Sequence, residues 1–328
     1  VRKVLPEDLQ LIYCNYYSSK EKVYDEMLEA HLLMTPNIGF AGGAWKWTGY
    51  NPANAYSFFV ADLAFSACQK HNIPYIVVTA WGDNGAEASF FSILPALQYW
   101  AELNYGHIKP DDAWLEQRFY TCTNASWKHF LALDEPVFTP GNPSPGKIGV
   151  NPPKLLIYQD ILAGLVDYHF DGDAMAEHFS LMTRELDDLI QNDIPEDSWY
   201  RPILEANLAL CRALAIKTRA GQDLRKAYKV DDKDTLKRYK DHDLPELIKY
   251  LEAFVTAYHK QWLAENKAFG LDQFDIKLGG VIQRVKTAVA YLDAYLKGEI
   301  EDIAELGETL LPFDNRDFDA PHTVFDVE

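Results

Sequence analysis

Three short apolar runs, each followed by a helix-like stretch, occupy the first 106 residues, and no comparable run follows them. Residues 9–13 (LQLIY) read as a short buried strand, 38–42 (IGFAG) as a second and 75–79 (YIVVT) as a third. The third is almost wholly apolar, as a parallel strand buried on both faces requires. Between them, residues 20–33 carry Val23, Met27, Ala30 and Leu33 at helical spacing, with Ser18 and Ser19 placed to cap. Residues 56–71 and 86–105 read as further helices. Strand alternating with helix implies parallel strands joined by right-handed crossovers. Three such strands cannot close a barrel, which takes ~250 residues. An open three-stranded sheet leaves its edges uncovered. Two architectures fit: a small open α/β layer covered by later helices, or the last three βα units of a (β/α)8 TIM barrel whose earlier units are absent. The second is preferred, because the sequence opens just before a strand.

From residue 111 the pattern is helical. Stretches 111–121, 125–133, 154–168 and 173–191 show helical periodicity, and 198–228, 244–269 and 271–296 read as long amphipathic helices. Short connections between long helices favour antiparallel packing. A Pro/Gly-rich stretch, 136–153, reads as a loop ordered across the barrel face. The densely charged stretch 231–243 reads as a solvated linker or helix end. The division expected is 1–110 for the barrel part, 111–311 for an α-helical domain and 312–328 for an acidic, aromatic tail.

Charge narrows the partners. A net charge of −18 argues against nucleic acid, whose binders neutralise phosphates with basic patches. It argues equally against anionic membrane surfaces. No apolar run reaches the ~20 residues a membrane span needs. The four cysteines, Cys14, Cys68, Cys122 and Cys211, are far apart and show no CxxC pairing, so neither a disulfide framework nor a zinc site is expected. Reduced thiols in a cytoplasmic protein are the expectation, with no cofactor and no metal.

In a barrel, chemistry sits at the carboxyl ends of the strands. Three stretches fall there: 13–17 (YCNYY), 42–49 (GGAWKWTG) and 81–87 (WGDNGAE). Aromatic faces stack on the apolar face of a sugar ring, and carboxylates and amides bond its hydroxyls. Gly42-Gly43 has neither the P-loop lysine pattern nor G-x-G-x-x-G spacing, so a phosphate cradle is not indicated. Bland roles compete. Tyr13, Tyr16 and Tyr17 could be packing residues. Asp83 could cap a helix starting near Gly85, and Glu87 could be a first-turn residue facing the helix dipole. Trp45 and Trp47, if extended, point opposite ways, one behind the strands and one into the pocket.

These strand-end stretches resemble glycoside hydrolase family 20, the exo-acting β-N-acetylhexosaminidases, and its bacterial N-acetyl-β-D-glucosaminidases with a helical carboxyl-terminal domain in particular. The likeness is carried by 12–18 (IYCNYYS), 40–49 (FAGGAWKWTG) and 79–87 (TAWGDNGAE), and extends loosely to Asn151-Pro152, Tyr158-Gln159-Asp160 and 275–280 (DIKLGG). The resemblance implies that Tyr13 donates a hydrogen bond to the substrate's acetamido oxygen. It implies sugar contacts for Asn15, where the family usually has aspartate; an amide keeps hydrogen bonding and loses the charge. It implies a pocket floor formed by Trp45 or Trp47, and a hold on the ring and its distal hydroxyls by Trp81 and Asp83.

The family mechanism is substrate-assisted: the acetamido oxygen attacks the anomeric carbon, while an adjacent Asp-Glu pair orients it and protonates the leaving oxygen. That differs from the two-carboxylate scheme. The pair follows a strand in an H-x-G-x-D-E context, which this sequence lacks. Asp25-Glu26 lies in a helix and Asp134-Glu135 precedes a proline, so neither takes that role. The expectation is therefore a carboxyl-terminal fragment of a β-N-acetylhexosaminidase, inactive alone, completed by the missing amino-terminal barrel half. Its substrates would be N-acetylhexosamine-containing glycans, and it could form a homodimer. Two alternatives stand beside it. One is an enzyme using Asp83 and Glu87 as helix neighbours at i and i+4. The other is a non-catalytic sugar-binding or dimerisation module.

Overall fold

The computed structural model describes residues 5–6, 8–106, 109–142, 144–147 and 149–312. The expected tail, 312–328, lies outside the described residues beyond Pro312. Among the described residues there are three strands, β1 (Leu11–Cys14), β2 (Ile38–Gly43) and β3 (Ile76–Thr79). Twelve α-helices accompany them: α1 (Glu21–Leu32), α2 (Asn54–Lys70), α3 (Leu94–Gly106), α4 (Asp112–Thr123), α5 (Trp127–Leu131), α6 (Pro152–Tyr158), α7 (Gly172–Asn192), α8 (Arg201–Lys229), α9 (Lys233–Arg238), α10 (Leu244–Glu265), α11 (Leu271–Lys297) and α12 (Ala304–Gly307). The protein is thus mostly helical, with one small parallel sheet. The chain forms two compact units, one of Val1–Asp134 with Ser144–Gly149, the other of Glu135–Pro143 with Val150–Glu328. None of the described helices is long and apolar enough to cross a membrane.

In the first unit the sheet order is β1-β2-β3, all parallel. Register pairs Tyr13 with Phe40 and Phe40 with Ile76, so the carboxyl ends Cys14, Gly43 and Thr79 lie at one end of the sheet. Pleating puts Tyr13, Phe40 and Gly42 on one face. Helices cover that face: the Phe40 ring meets Tyr24 of α1 at 5.9 Å and Trp100 of α3 at 6.3 Å. Gly42 is needed there, since a Cβ would stand 2.4 Å from the Trp100 ring. The other face of β1 is open: Ile12 is 43% exposed, and Cys14 is exposed beside it.

In the second unit α8 packs against α7 and α10, and α10 against α11. The α7 stripe Met175, Phe179, Met182, Leu186 and Ile190 recurs at helical spacing and is buried. Asp171 starts α7 by accepting the amides of Asp173 and Ala174. The charged stretch 231–243 is helical rather than a linker. Asp232 caps α9, a π-helical turn (Tyr239–Asp243) leads into α10, and Leu236 and Tyr239 are buried. Two apolar residues at i and i+3, hidden among charges, are enough to pin this segment to the core. The helix expected over 154–168 ends at Tyr158 instead. There Asp160 accepts the amides of Leu162 and Ala163 and turns the chain.

Polar side chains of α8 hold this turn. Lys217 donates to the carbonyls of Leu156 (2.8 Å) and Gln159 (2.6 Å). Gln222 donates to the carbonyls of Asp167 and Phe170 and accepts from the Gly172 amide. Arg284 of α11 pairs with Asp160. Burial pushes the Asp160 carboxyl up, but Arg284 and the two amides outweigh it and hold it below its ordinary value. Gly221 lets the segment approach, since a Cβ there would stand 2.9 Å from both the Asp167 carboxylate and the Ile161 carbonyl.

Burial pushes the Lys217 ammonium down to about 8, against the attraction of Asp167 and Asp160. In the unfolded chain a lysine titrates near ~10.4. Between those values the unfolded chain binds more protons, so the penalty, full below about pH 8, is relieved as pH rises. The stability of the native protein relative to Lys217→Met is expected to rise by on the order of 2–3 kcal/mol between about pH 8 and 10.4. Urea midpoints taken across that range check this, and a constant difference would contradict it.

Candidate functional site

The turn after β1 is organised by Asn15. Its Oδ1 accepts the amides of Tyr17 (3.0 Å) and Ser18 (3.1 Å), and its Nδ2 donates to the Tyr13 hydroxyl at 2.6 Å. Tyr13 is buried, its ring against His31 and Phe40. Because the Tyr13 oxygen accepts from an amide, its own proton remains free to donate onward. Burial raises the Tyr13 phenol above its ordinary value, the Asn15 bond opposing, so it stays protonated at neutral pH.

Trp45 and Trp47 do not diverge as an extended segment would make them. Residues 44–50 turn back on themselves, with the Ala53 amide bonding the Trp45 carbonyl and the Trp45 amide bonding Ser57 Oγ. The two indoles therefore lie side by side, centroids 4.3 Å apart, both buried with Tyr56 and Val60 of α2. Trp45 Nε1 donates to the Tyr16 carbonyl at 2.9 Å. Part of the Pro/Gly-rich stretch packs here. Gly149 lies so close that a Cβ would stand 2.6 Å from the Trp45 ring, and the Lys147 ammonium sits 5.8 Å from the centre of the Phe59 ring.

The segment after β3 also differs from expectation. The helix expected over 86–105 starts only at Leu94. Asp83–Gly85 forms a 3-10 turn ending at Ala86 with φ +52°, and a second 3-10 turn, Phe90–Ile93, is capped by Ser89. Asp83 caps no helix; it is exposed beside Trp81, itself 46% exposed. Glu87 is buried and stands ahead of the helix rather than in its first turn. Asp83 and Glu87 are not i, i+4 neighbours on one helix, so the carboxylate-pair alternative loses its geometry.

Tyr16 joins the three turns, a role the sequence reading missed. Its ring meets Trp47 at 5.9 Å and Trp81 at 6.3 Å. The side chains of Thr79, Cys14 and Trp81 surround its hydroxyl. Burial raises this phenol, with Thr79 opposing. The signal available was three tyrosines within five residues of a strand end. The structure thus brings Tyr13 and Asn15 together, and links Trp45, Trp47 and Trp81 through Tyr16. The accessible groups are Trp81, Asp83, Tyr17 and Cys14; the buried ones form the floor behind them.

Neither Asp-Glu pair belongs to this cluster. Asp25 of α1 bonds Lys70 at 2.8 Å and His71 at 3.1 Å, and Lys70 holds its carboxyl below the ordinary range. Asp134 is buried against α2. Among the described residues no group of three or more His, Cys, Asp or Glu is placed to hold a metal ion.

A parallel sheet with aromatic and amide groups at one end, attached to a helical region, is an arrangement suited to glycans. Residues 128–325 match the family model described as Glycoside Hydrolase 20C C-terminal domain. That is more than half of the 328 residues, and the chain belongs to this family. It is a hexosaminidase-related protein of glycoside hydrolase lineage. A comparison with curated proteins found no match. The aromatic cluster of residues 13–83 precedes the matched region.

Proposed function

We propose that this chain is the carboxyl-terminal part of an exo-β-N-acetylhexosaminidase, comprising the last three βα units of a (β/α)8 barrel and the helical domain that follows. The observation that carries this is the conjunction of the family match with three parallel strands whose carboxyl ends bear Tyr13, Trp47 and Trp81 in linked turns. The open face of β1, with Ile12 exposed, supports it, because parallel strands are ordinarily buried on both faces. In this reading the substrate is a terminal β-linked N-acetylhexosamine. Trp81 stacks on the ring, Asp83 and Asn15 serve its hydroxyls, Tyr13 donates to the acetamido oxygen, and Trp45 and Trp47 form the floor.

Tyr13 would hold the acetamido oxygen for attack on the anomeric carbon. The proton for the leaving oxygen would come from an Asp-Glu pair on barrel units that this sequence does not include. An aryl N-acetyl-β-glucosaminide assay tests this, comparing the 328-residue chain with a longer chain that supplies those units. Turnover is expected from the longer chain only. Turnover by the shorter one would overturn the claim that the acid lies elsewhere.

A further inference from the structure

Helix α2 begins just after the tryptophan loop, and its own N-cap residue, Ala53, provides no side-chain cap. The cap comes from Asp134, 79 residues beyond Ala55. One carboxylate oxygen accepts the Ala55 amide at 2.7 Å and the other accepts Asn54 Nδ2 at 2.9 Å. Both side chains are buried, Asp134 at 2% exposure and Asn54 at 0%. Asn54 passes the constraint on: its Nδ2 also donates to the Ser92 carbonyl at 3.0 Å, and its Oδ1 accepts the Ala96 amide at 3.3 Å. One carboxylate therefore fixes the start of α2 and, through Asn54, the start of α3.

The loops that matter are directly attached to these points. Ala53 bonds the Trp45 carbonyl, and Ser57, one turn into α2, bonds the Trp45 amide. The Trp45–Trp47 loop is thus hung on the first turn of α2, and the segment after Trp81 runs into the Ser92 anchor. A carboxylate at a helix start is also favoured by the dipole, and its burial makes the bonds stiffer than water would.

We infer that Asp134 is a positioning residue for the aromatic floor: by capping α2 from a distance it sets where Trp45 and Trp47 stand. Its bearing on catalysis rests on the glycosidase reading above; its bearing on the tryptophans does not.

Two indoles 4.3 Å apart couple excitonically, and the ultraviolet circular dichroism couplet of that pair reports their geometry. The experiment compares the 328-residue chain with Asp134→Ala, Asp134→Asn and a control, Leu28→Ala, which truncates a buried side chain of α1 and touches none of the Asp134 hydrogen bonds. Trp45→Phe identifies the part of the signal owed to the pair. The couplet is expected to be lost in Asp134→Ala, weakened in Asp134→Asn and kept in Leu28→Ala. Asp134→Asn fills the same space and keeps one acceptor, so it decides the matter should the alanine variant not fold. A couplet retained in the Asp134 variants, or lost equally in Leu28→Ala, would overturn the inference. In the longer chain KM for the aryl glycoside should rise tenfold to on the order of a hundredfold in Asp134→Ala, with kcat changing less. Absence of turnover by the native longer chain would count against the glycosidase reading, while the couplet still decides the role of Asp134.

Discussion

Arg225→Ala is expected to destabilise the helical unit by on the order of 3–5 kcal/mol, the largest stability loss any single site here should give. The guanidinium is buried and works entirely on carbonyls. One terminal nitrogen donates to Glu305 and Glu308, each at 2.8 Å, and to Leu306 at 3.3 Å. The other donates to Leu162 at 2.7 Å and Ala163 at 3.3 Å. Alanine would strand these acceptors inside the protein, and the cost of an unpaired buried group exceeds what a typical bond contributes net. It would also free α12 and the 160–163 turn from α8 together. Lysine cannot substitute well, because a single ammonium cannot fork to both segments. Thermal unfolding should show a midpoint lower by roughly 10 °C, from ~2–4 °C per kcal/mol at this unit size. A loss under about 1 kcal/mol would mean that water replaces the guanidinium without penalty.

Such an anchor was not legible in the sequence. Arg225 and Lys217 sit in a long amphipathic helix, where a charged residue ordinarily faces solvent. Nothing local says that a segment some 60 residues earlier brings bare carbonyls to them. Asp134 is the same case, since its partners are on α2. What was legible was local. The three strands announced themselves as apolar runs, and the helices by spacing, with most ends off by a few residues but the end of α6 and the start of α3 off by eight or more. The late start of α3 had signals in Ser89, which caps the 3-10 turn before it, and in Pro95, a first-turn proline. The side-by-side indoles were not legible, because alternation predicts divergence only for extended backbone and the turn is made by bonds to α2. The residue types of the site could be read, but their division into a buried floor and an accessible rim could not, since that depends on which helix covers which loop.

Tyr13→Phe is expected to lower kcat of the longer chain by on the order of 10², the loss expected when an attacking group is no longer held in line with the atom it attacks. The prediction follows from the proton count at the hydroxyl. Asn15 Nδ2 already supplies a hydrogen to the Tyr13 oxygen at 2.6 Å, so the phenol proton has no use within that pair and is directed elsewhere. In the proposed reaction, positive charge would spread over the acetamido group as its oxygen attacks. A neutral donor there orients the group without adding a competing charge. Phenylalanine keeps the contacts with His31 and Phe40, so the fold should lose only about 1 kcal/mol, the net worth of one hydrogen bond. KM should change less than kcat, because the bond sets the orientation of the attacking oxygen and adds little to the grip on the sugar ring. Burial raises the phenol, so its ionisation should not set the alkaline limb of the rate profile below its ordinary value near ~10. Steady-state kinetics of the native and Tyr13→Phe proteins across pH 5–9 would decide it. A kcat within about tenfold of native would remove Tyr13 from the reaction and leave it as the buttress that packs α1 against the sheet.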